Sequence, residues 1–491
     1  MIYYMEGHTL KHAVEEMLLH LLPTETLSYG KNTNSIDGYC ESSISKQAGI
    51  IAARAIVQMN GETHSSQLTA SAPESESDAL AEKRIITELV KTTIYNAVLP
   101  FLPQPPVWGA LTGVRPAKMA RGFIERGMSR GETARMLREQ YHVSPQQAAL
   151  TIRAAVTAME LDKTISPQDI SLYIGIPFCP SRCYYCSFVS AETARSGHLI
   201  EPFLQTLTQE IQNTAALVRQ SGRRIQSVYI GGGTPTTLTA RQLSYLLNIL
   251  RKNFDFSHLR EYTVEAGRPD TITREKLETL YQAGVTRISI NPQSMNDAVL
   301  TAIGRRHTAQ DVLRAYTDAR DVGFQHINMD VIAGLTDDTV STFVQTVQTL
   351  LDLSPENITV HTLAIKRGAD MTDKTAALSA RETVSEMLTQ STRALQQARY
   401  GAYYLYRQKF TAGGFENTGW CLPGEECFYN IVMMEELQTI LSLGAGGVSK
   451  QVNRETGWIE RVNNPKYPLE YIRAAERLTD GKRRLLSQIF S

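Results

Sequence analysis

Cysteine is scarce in this chain of 491 residues: there are six, and only one segment brings three of them close together. So few thiols over such a length exclude a disulfide-stapled scaffold. Charge of one sign is also lacking, because Lys plus Arg equals Asp plus Glu at 50 each, and nothing global draws the chain to nucleic acid or anionic lipid. No apolar stretch reaches the ~20 residues that span a bilayer, and there is no short-period repeat or extended low-complexity segment. Met1 to Gly7 has neither the basic n-region nor the apolar h-region of a secretory signal. The thiols are therefore expected reduced, and the protein cytoplasmic. Local basic runs such as Lys482-Arg483-Arg484 read as solvated helix ends.

What is present is concentrated. Cys179, Cys183 and Cys186 stand in Cys-Pro-Ser-Arg-Cys-Tyr-Tyr-Cys, directly after the apolar, strand-like run Ser171 to Phe178. Zinc sites usually pair one C-x2-C with a second, and Cys40, Cys421 and Cys427 supply no such pair. Three thiolates at C-x3-C-x2-C spacing suit a 4Fe-4S cluster instead, leaving one iron open to an exogenous ligand. An open iron of this kind is where radical S-adenosylmethionine enzymes chelate their cofactor by its methionyl amine and carboxylate.

With 42% hydrophobic residues the chain can bury a large core and should form two or three domains. Residues 1–165 read as an N-terminal α+β accessory domain: a strand over Met1 to Met5, a helix over His12 to Leu22 and a strand or hairpin near Gly38 to Ser43. The polar run Ser66 to Asp78 reads as a loop, and helical spacing follows within Glu74 to Leu102. Ser144-Pro145 starts a further helix. Between them, Trp108 to Lys118 either leads into a helix at Pro116 or turns Arg115 and Lys118 toward a ligand.

Residues 166–406 alternate strand and helix. Strands are expected at Leu172 to Ile176, Ser227 to Ile230, Tyr262 to Glu265, Arg287 to Ile290, His326 to Ile332 and Ile358 to Leu363, with helices such as Thr239 to Asn253, Arg274 to Ala283 and Val340 to Leu353 between them. Six such units imply an α/β fold with a parallel sheet, a partial (β/α)6 barrel carrying its site at the carboxyl ends of the strands. Residues 407–491 are expected to be mainly helical and to cover the barrel mouth.

Those strand ends carry polar chemistry. Gly231-Gly232-Gly233-Thr234 follows the second strand, where missing side chains let backbone approach a methionyl group, or simply make a strand-to-helix turn. Glu265 could accept from ribose hydroxyls, Gln293 and Asp330 end later strands, and Arg305 offers a fixed positive charge to a carboxylate. His307, His326 and His361 fall near strand ends, as ligand contacts or packed side chains. Cys421 and Cys427 are candidates for an auxiliary cluster or haem ligation, or buried thiols. Tyr403, Tyr404 and Tyr406 read as half-buried strand residues, and Thr411 to Gly419 as a flexible loop.

Taken in order, Tyr173-Ile-Gly-Ile-Pro-Phe-Cys, the cysteine triplet, Gly-Gly-Gly-Thr-Pro, Val-Glu-Ala, the Gln293 segment, Gly-Arg-Arg-His and Asp-Val-Ile-Ala-Gly-Leu resemble the oxygen-independent coproporphyrinogen III oxidase family of radical S-adenosylmethionine proteins. The flanks Leu-Thr-Gly-Val-Arg-Pro-Ala-Lys, His361-Thr-Leu-Ala-Ile-Lys-Arg-Gly and Tyr404 to Lys450 are similar to its HemZ branch. The resemblance implies a 4Fe-4S cluster on the three cysteines, and one S-adenosylmethionine, or two. Tyr173, Gly232 and Glu265 would contact the cofactor on the cluster; Tyr185, Gly233, Thr234, Gln293, Arg305 and Asp330 match positions that hold a second. It implies oxidative decarboxylation of two propionates of coproporphyrinogen III to vinyl groups, giving protoporphyrinogen IX, with a reductant such as flavodoxin or ferredoxin. Arg305, Arg407 and Lys409 are then candidate carboxylate partners, with Arg407 and Lys409 read first as solvated surface residues. One position departs: Phe188 stands where the dehydrogenases carry a further cysteine, as in the haem-chaperone branch. Haem delivery and anaerobic haem-ring opening stay open as alternatives.

Overall fold

The computed structural model describes residues 1–22, 25–30, 38–73, 79–186, 190–363, 381–408 and 414–487. The chain divides into two compact units, Met1–Ile152 with Arg407–Phe415, and Arg153–Tyr406 with Glu416–Ser491. Among the described residues no helix is long and apolar enough to cross a membrane. Phe188, Lys409 and Thr411 to Gly413 lie outside the described residues.

The first unit opens with β1 Ile2–Glu6 and α1 Lys11–Leu21, the expected strand and helix, followed by β2 Ser28–Tyr29, β3 Tyr39–Gln47, β4 Ile50–Met59 and β5 Glu62–Ser71. They make one sheet in the order β2-β1-β3-β4-β5, with β3, β4 and β5 antiparallel. The polar run from Ser66, expected as a loop, is the outer half of β5 as far as Ser71 and pairs with β4, Ser66 opposite Ala55. Its side chains alternate between exposed and half-buried, so polar residues cost an edge strand little. Helix α2, Ala79–Val98, packs Val90, Ile94 and Tyr95 with Val14, Met17 and Leu18 of α1 and Ala53, Ala55 and Val57 of β4. Then come α3 Pro116–Glu125, α4 Arg130–Glu139 and α5 Pro145–Asp162. The segment before α3 does lead into a helix at Pro116, and Lys118 is exposed on it. Arg407 is buried rather than solvated. Its guanidinium covers Trp108 at 5.0 Å and donates to the carbonyls of Leu111 and Gly414, so it holds this loop.

The second unit is built on β6 Asp169–Ile176, which runs into the two-residue β7 Phe178–Cys179 and its partner β8 Ala191–Glu192, and then α6 Thr193–Ser196. The alternation continues through α7 Ile200–Gln220, β9 Arg224–Gly232, α8 Ala240–Asn253, β10 Glu261–Gly267, α9 Arg274–Gln282, β11 Arg287–Ile290, α10 Asp297–Ala302, α11 Ala309–Val322, β12 His326–Ala333, α12 Val340–Leu353 and β13 Asn357–Thr362. The strands β6, β9, β10, β11, β12 and β13 are parallel neighbours in that order, the partial (β/α)6 barrel that the alternation predicts. Near-continuous burial along β6 and β11 reflects a sheet covered on both faces.

After α13 Arg381–Gln397 and β14 Gly401–Arg407, the C-terminal residues give β15 Glu416–Cys421, α14 Phe428–Glu435, β16 Thr439–Gly444, β17 Val448–Val452, β18 Ile459–Asn463, α15 Pro468–Arg473 and α16 Asp480–Ser487. A mainly helical region is therefore corrected to a mixed one. The reason is edge pairing: β15 runs antiparallel to β13, and β16 parallel to β6, which satisfies the outer backbone groups of both barrel edges. Helix α14 lies at the amino-terminal ends of the strands. Glu261, the first residue of β10, accepts from the backbone N–H groups of Phe428 (2.9 Å) and Tyr429 (3.1 Å) at the start of that helix.

Lys482 is fully buried, not a solvated helix end, whereas its neighbours Arg483 and Arg484 are exposed. Its ammonium lies 2.6 Å from Glu210 of α7 and also donates to Asn464 and the Leu478 carbonyl. Glu210 in turn accepts from Tyr471 (2.6 Å), the Gly444 N–H (2.8 Å) and Asn464 (2.8 Å), so every charge in the network is paired and the end of β16 is tied to α7. Substituting Lys482→Met strands a buried carboxylate. Urea denaturation should show a loss of about 3–5 kcal/mol; a change below 1 kcal/mol would remove this pair from the structural account.

Candidate functional site at the carboxyl ends of the barrel strands

Because β6 and β9 are in register with Tyr173 opposite Tyr229 and Ile176 opposite Gly232, the cysteine loop leaves β6 beside the triple glycine. The glycines allow close packing. A Cβ at position 233 would sit 2.6 Å from the Phe178 carbonyl oxygen and 3.0 Å from Cys179 Sγ, and Gly232 has φ +111°. The N–H groups of Gly233 and Thr234 donate to the carbonyls of Ile176 (2.8 Å) and Phe178 (2.7 Å), and that of Gly232 to Glu265 (3.2 Å). The Gly233 and Thr234 bonds hold the start of the loop, and the Gly232 bond ties the turn to β10. Thr234 Oγ1 lies 3.4 Å from Cys179 Sγ.

Cys179 and Cys183 are buried and Cys186 is half-buried. Among the described residues, no three His, Cys, Asp or Glu side chains are placed to hold a single metal ion. A cubane instead takes one thiolate per iron at separate corners, which three cysteines spread along a loop can supply.

Glu265, on β10, accepts from Tyr229 Oη at 2.7 Å as well as from Gly232. Burial pushes its carboxyl up to about 7, with Asp330 adding to the shift while Tyr229, Gly232 and His361 oppose it. Tyr173 stacks on Tyr229 (6.2 Å between centroids), and Tyr429 of α14 stacks on both, making an aromatic floor beneath Glu265. Burial and the Glu265 charge raise the Tyr173 phenol above its ordinary value, so its hydroxyl stays a donor.

Further round the mouth, Asn328 donates to Asp330 at 2.7 Å, and His361 Nε2 is 3.7 Å away. Burial alone would raise the Asp330 carboxyl; the His361, Asn328 and Thr359 contacts outweigh it and hold the group below its ordinary value. Gln293, at φ +68°, bridges to Val331, bonding through its backbone to Asp330 and Ile332. Arg305 donates to Tyr185 Oη at 2.8 Å, and Tyr185 packs on the cluster of Val299, Leu300, Ile303, Ile332, Leu335 and Leu363.

The sequence-predicted residues thus gather at one rim in three groups: Cys179 with Gly233 and Thr234; Tyr173 with Gly232 and Glu265; and Tyr185 with Arg305, Gln293 and Asp330 alongside. Two histidine candidates separate. His361 faces Asp330 at the rim, but His326 begins β12 at the opposite end and pairs with Glu425 at 2.6 Å. His307 is buried beside Arg305, and burial together with that charge lowers it to about 4. Cys427 donates to Glu261 at 3.2 Å, and burial, then the Glu261 charge, raise its thiol well above the ordinary range. Cys421 is buried in β15 and raised likewise by burial, and both thiols pack in the hydrophobic cluster with Tyr403, Tyr404, Phe428 and Tyr429. Tyr403 and Tyr404 are strand residues, but fully rather than half-buried.

Sequence reasoning missed Tyr229, Tyr429 and Arg268. Tyr229 shares strand parity with Gly231, and that inward face was a usable signal. Arg268, directly after β10, carried the same strand-end signal as its neighbours, whereas Tyr429 offered none, since it reaches the site through tertiary packing.

The residues present fit a cluster with a charged cofactor beside it. The buried Nε and Nη1 of Arg305 and the buried Oε1 of Gln293 have no partner among the described residues, the condition of polar atoms that await a ligand. Glu265 also makes a stability prediction. A carboxyl raised from 4.5 to about 7 contributes stability that is complete below the lower value and is lost as pH rises through the upper. Denaturation midpoints of the wild type should therefore fall relative to Glu265→Gln across that window; parallel profiles would contradict the raised carboxyl.

Residues 173–350 match the Radical SAM superfamily, whose members use a 4Fe-4S cluster and S-adenosylmethionine. The chain is 40% identical to the oxygen-independent coproporphyrinogen-III oxidase-like protein HemZ of Bacillus subtilis, over 78% of this chain and 77% of that protein. It is 29% identical to the haem chaperone HemW of Haemophilus influenzae, over 62% of this chain and 76% of that one. Among solved structures, coproporphyrinogen III oxidase (HemN) of Escherichia coli superposes with a TM-score of 0.49 and 23% identity, over 67% of this chain and 73% of that one. With cysteine loop, glycine turn and strand-end residues assembled on the parallel strands, and identity to the HemZ protein sustained over most of both lengths, the chain belongs to the oxygen-independent coproporphyrinogen III oxidase-like family of radical S-adenosylmethionine proteins.

Proposed function

We propose that this chain catalyses the oxygen-independent oxidative decarboxylation of coproporphyrinogen III to protoporphyrinogen IX. The observation that carries the reading is the 40% identity to the HemZ protein over 78% of this chain, against 62% for the HemW relative, so the likeness to HemZ extends further beyond the shared core. Cys179, Cys183 and Cys186 would each ligate one iron of the 4Fe-4S cluster. Bound to the reduced cluster, S-adenosylmethionine would supply a 5'-deoxyadenosyl radical able to take hydrogen from a propionate β-carbon; loss of carbon dioxide and transfer of one electron to an external one-electron acceptor would then leave a vinyl group.

The chain's own residues position and shield. Tyr173 and Glu265 would border the cofactor above the aromatic floor, where Tyr229 donates to the Glu265 carboxylate. Arg305, fixed by Tyr185, turns its two unpartnered N–H positions toward a carboxylate, either of a propionate or of a second S-adenosylmethionine held with Gly233, Thr234, Gln293 and Asp330. A reductant such as flavodoxin or ferredoxin would supply the electron for each cofactor cleavage.

A haem carrier is the second reading, favoured by the HemW likeness. One experiment separates them. The anaerobically reconstituted protein is incubated with dithionite, S-adenosylmethionine and coproporphyrinogen III, and 5'-deoxyadenosine and vinyl-bearing porphyrin are followed by chromatography. Coupled formation of both is expected. Cofactor cleavage without vinyl product, alongside stoichiometric haem binding, would transfer the chain to the carrier reading. The Cys186→Ala variant should lose both cluster assembly and 5'-deoxyadenosine formation; full iron-sulfur absorbance in that variant would refute the ligand assignment.

A further inference from the structure

Arg268 sits three residues after Glu265, where β10 ends, and is 3% exposed. Its guanidinium is divided between two tasks. Nε and Nη2 form a fork on the Asp270 carboxylate at 3.0 and 2.9 Å, which fixes the plane of the group. The remaining Nη1 is thereby aimed at the cysteine loop. It donates to the Ser181 carbonyl and hydroxyl, both at 3.0 Å, and to Cys183 Sγ at 3.8 Å.

We infer that Arg268 is a positioning residue for the cluster: it holds the loop between Cys179 and Cys183, and its N–H···S contact raises the reduction potential of the cluster bound through Cys183. The physical basis is general. Iron-sulfur potentials depend on net charge, on hydrogen bonds to the sulfurs and on solvent access. A buried cation beside a thiolate favours the more negative, reduced cluster, and low dielectric strengthens that preference. Asp270 does not cancel it, because the carboxylate binds the far edge of the guanidinium while the donor edge meets the sulfur. Reduction is the step that S-adenosylmethionine cleavage waits on, so the residue would set how readily the loaded protein accepts its electron.

The inference rests on Cys183 being a cluster ligand, and the test keeps the two apart. Wild-type protein and Arg268→Gln are reconstituted in full length and titrated anaerobically, with the reduced cluster followed by electron paramagnetic resonance. The expected result is at least a tenfold smaller ratio of reduced to oxidised cluster in the variant at a fixed solution potential, a downward shift of ~59 mV for a one-electron couple. Arg268→Lys, which keeps the charge but not the fork, should fall between. A fully loaded Arg268→Gln cluster at the wild-type potential overturns the inference and leaves the ligand assignment standing; wild-type protein that assembles no cluster removes the assignment itself. Should the variants fail to load, protein carrying 15N-arginine decides. Pulsed resonance of the reduced cluster should show 15N coupling in the wild type and equally in Arg305→Lys, and its absence from either overturns the contact.

Discussion

A Cβ atom at position 233 would lie 2.6 Å from the Phe178 carbonyl oxygen, and because no side chain stands there the end of β9 can close against the start of the cysteine loop. The spacing at the mouth follows from that closeness. It brings Thr234 to Cys179, lets the Gly233 and Thr234 N–H groups bind the carbonyls that precede the loop, and leaves Gly232 to anchor Glu265. A single β-carbon here would have to push the loop outward and displace the first thiol from the rim. Backbone geometry, more than any one polar contact, thus decides where the cluster chemistry is placed.

The parallel strands were legible in the sequence because buried parallel strands are apolar runs separated by amphipathic helices, and that pattern survives without knowledge of packing. Arg287 to Ile290 and Val340 to Leu353 are found at the boundaries the pattern predicts. Polar edge strands were not legible. The outer half of β5, with Ser66, Gln67 and Thr69, reads as loop by composition and becomes strand only because β4 offers it a ladder. Lys482 shows the same limit for charge: a basic run looks solvated until Glu210 is brought to it from 272 positions away. At the site, residues on strand ends could be listed from the alternation, whereas Arg268 and Tyr429 matter through contacts with Cys183 and Tyr229 that no local pattern encodes.

A chain with zero formal net charge is far from neutral locally. The rim sets Arg305 and Arg268 near the cysteine loop and Glu265 with Asp330 on the neighbouring strands, so a zwitterionic ligand would meet opposite charges on its two sides. At the other end of the strands, Glu261 is committed to the first turn of α14 and to Arg287 at 3.4 Å, which fills the floor with paired charge and aromatic rings. Among the described residues, the carboxyl-terminal rim keeps the unpartnered Nε and Nη1 of Arg305 and Oε1 of Gln293.

The pairing of β16 with β6 bears on how the molecule is made. Ser171 bonds to Gln438 across 267 positions, so during synthesis β6 waits with one edge bare until most of the chain has emerged. That edge is apolar and leads straight to the thiols, which makes the nascent barrel prone to aggregation and its cysteines open to oxidation for the whole interval. Metal loading that precedes the arrival of β16 would meet a half-built rim. A cell producing this protein has reason to delay cluster delivery until translation ends, and to shield the growing chain until then.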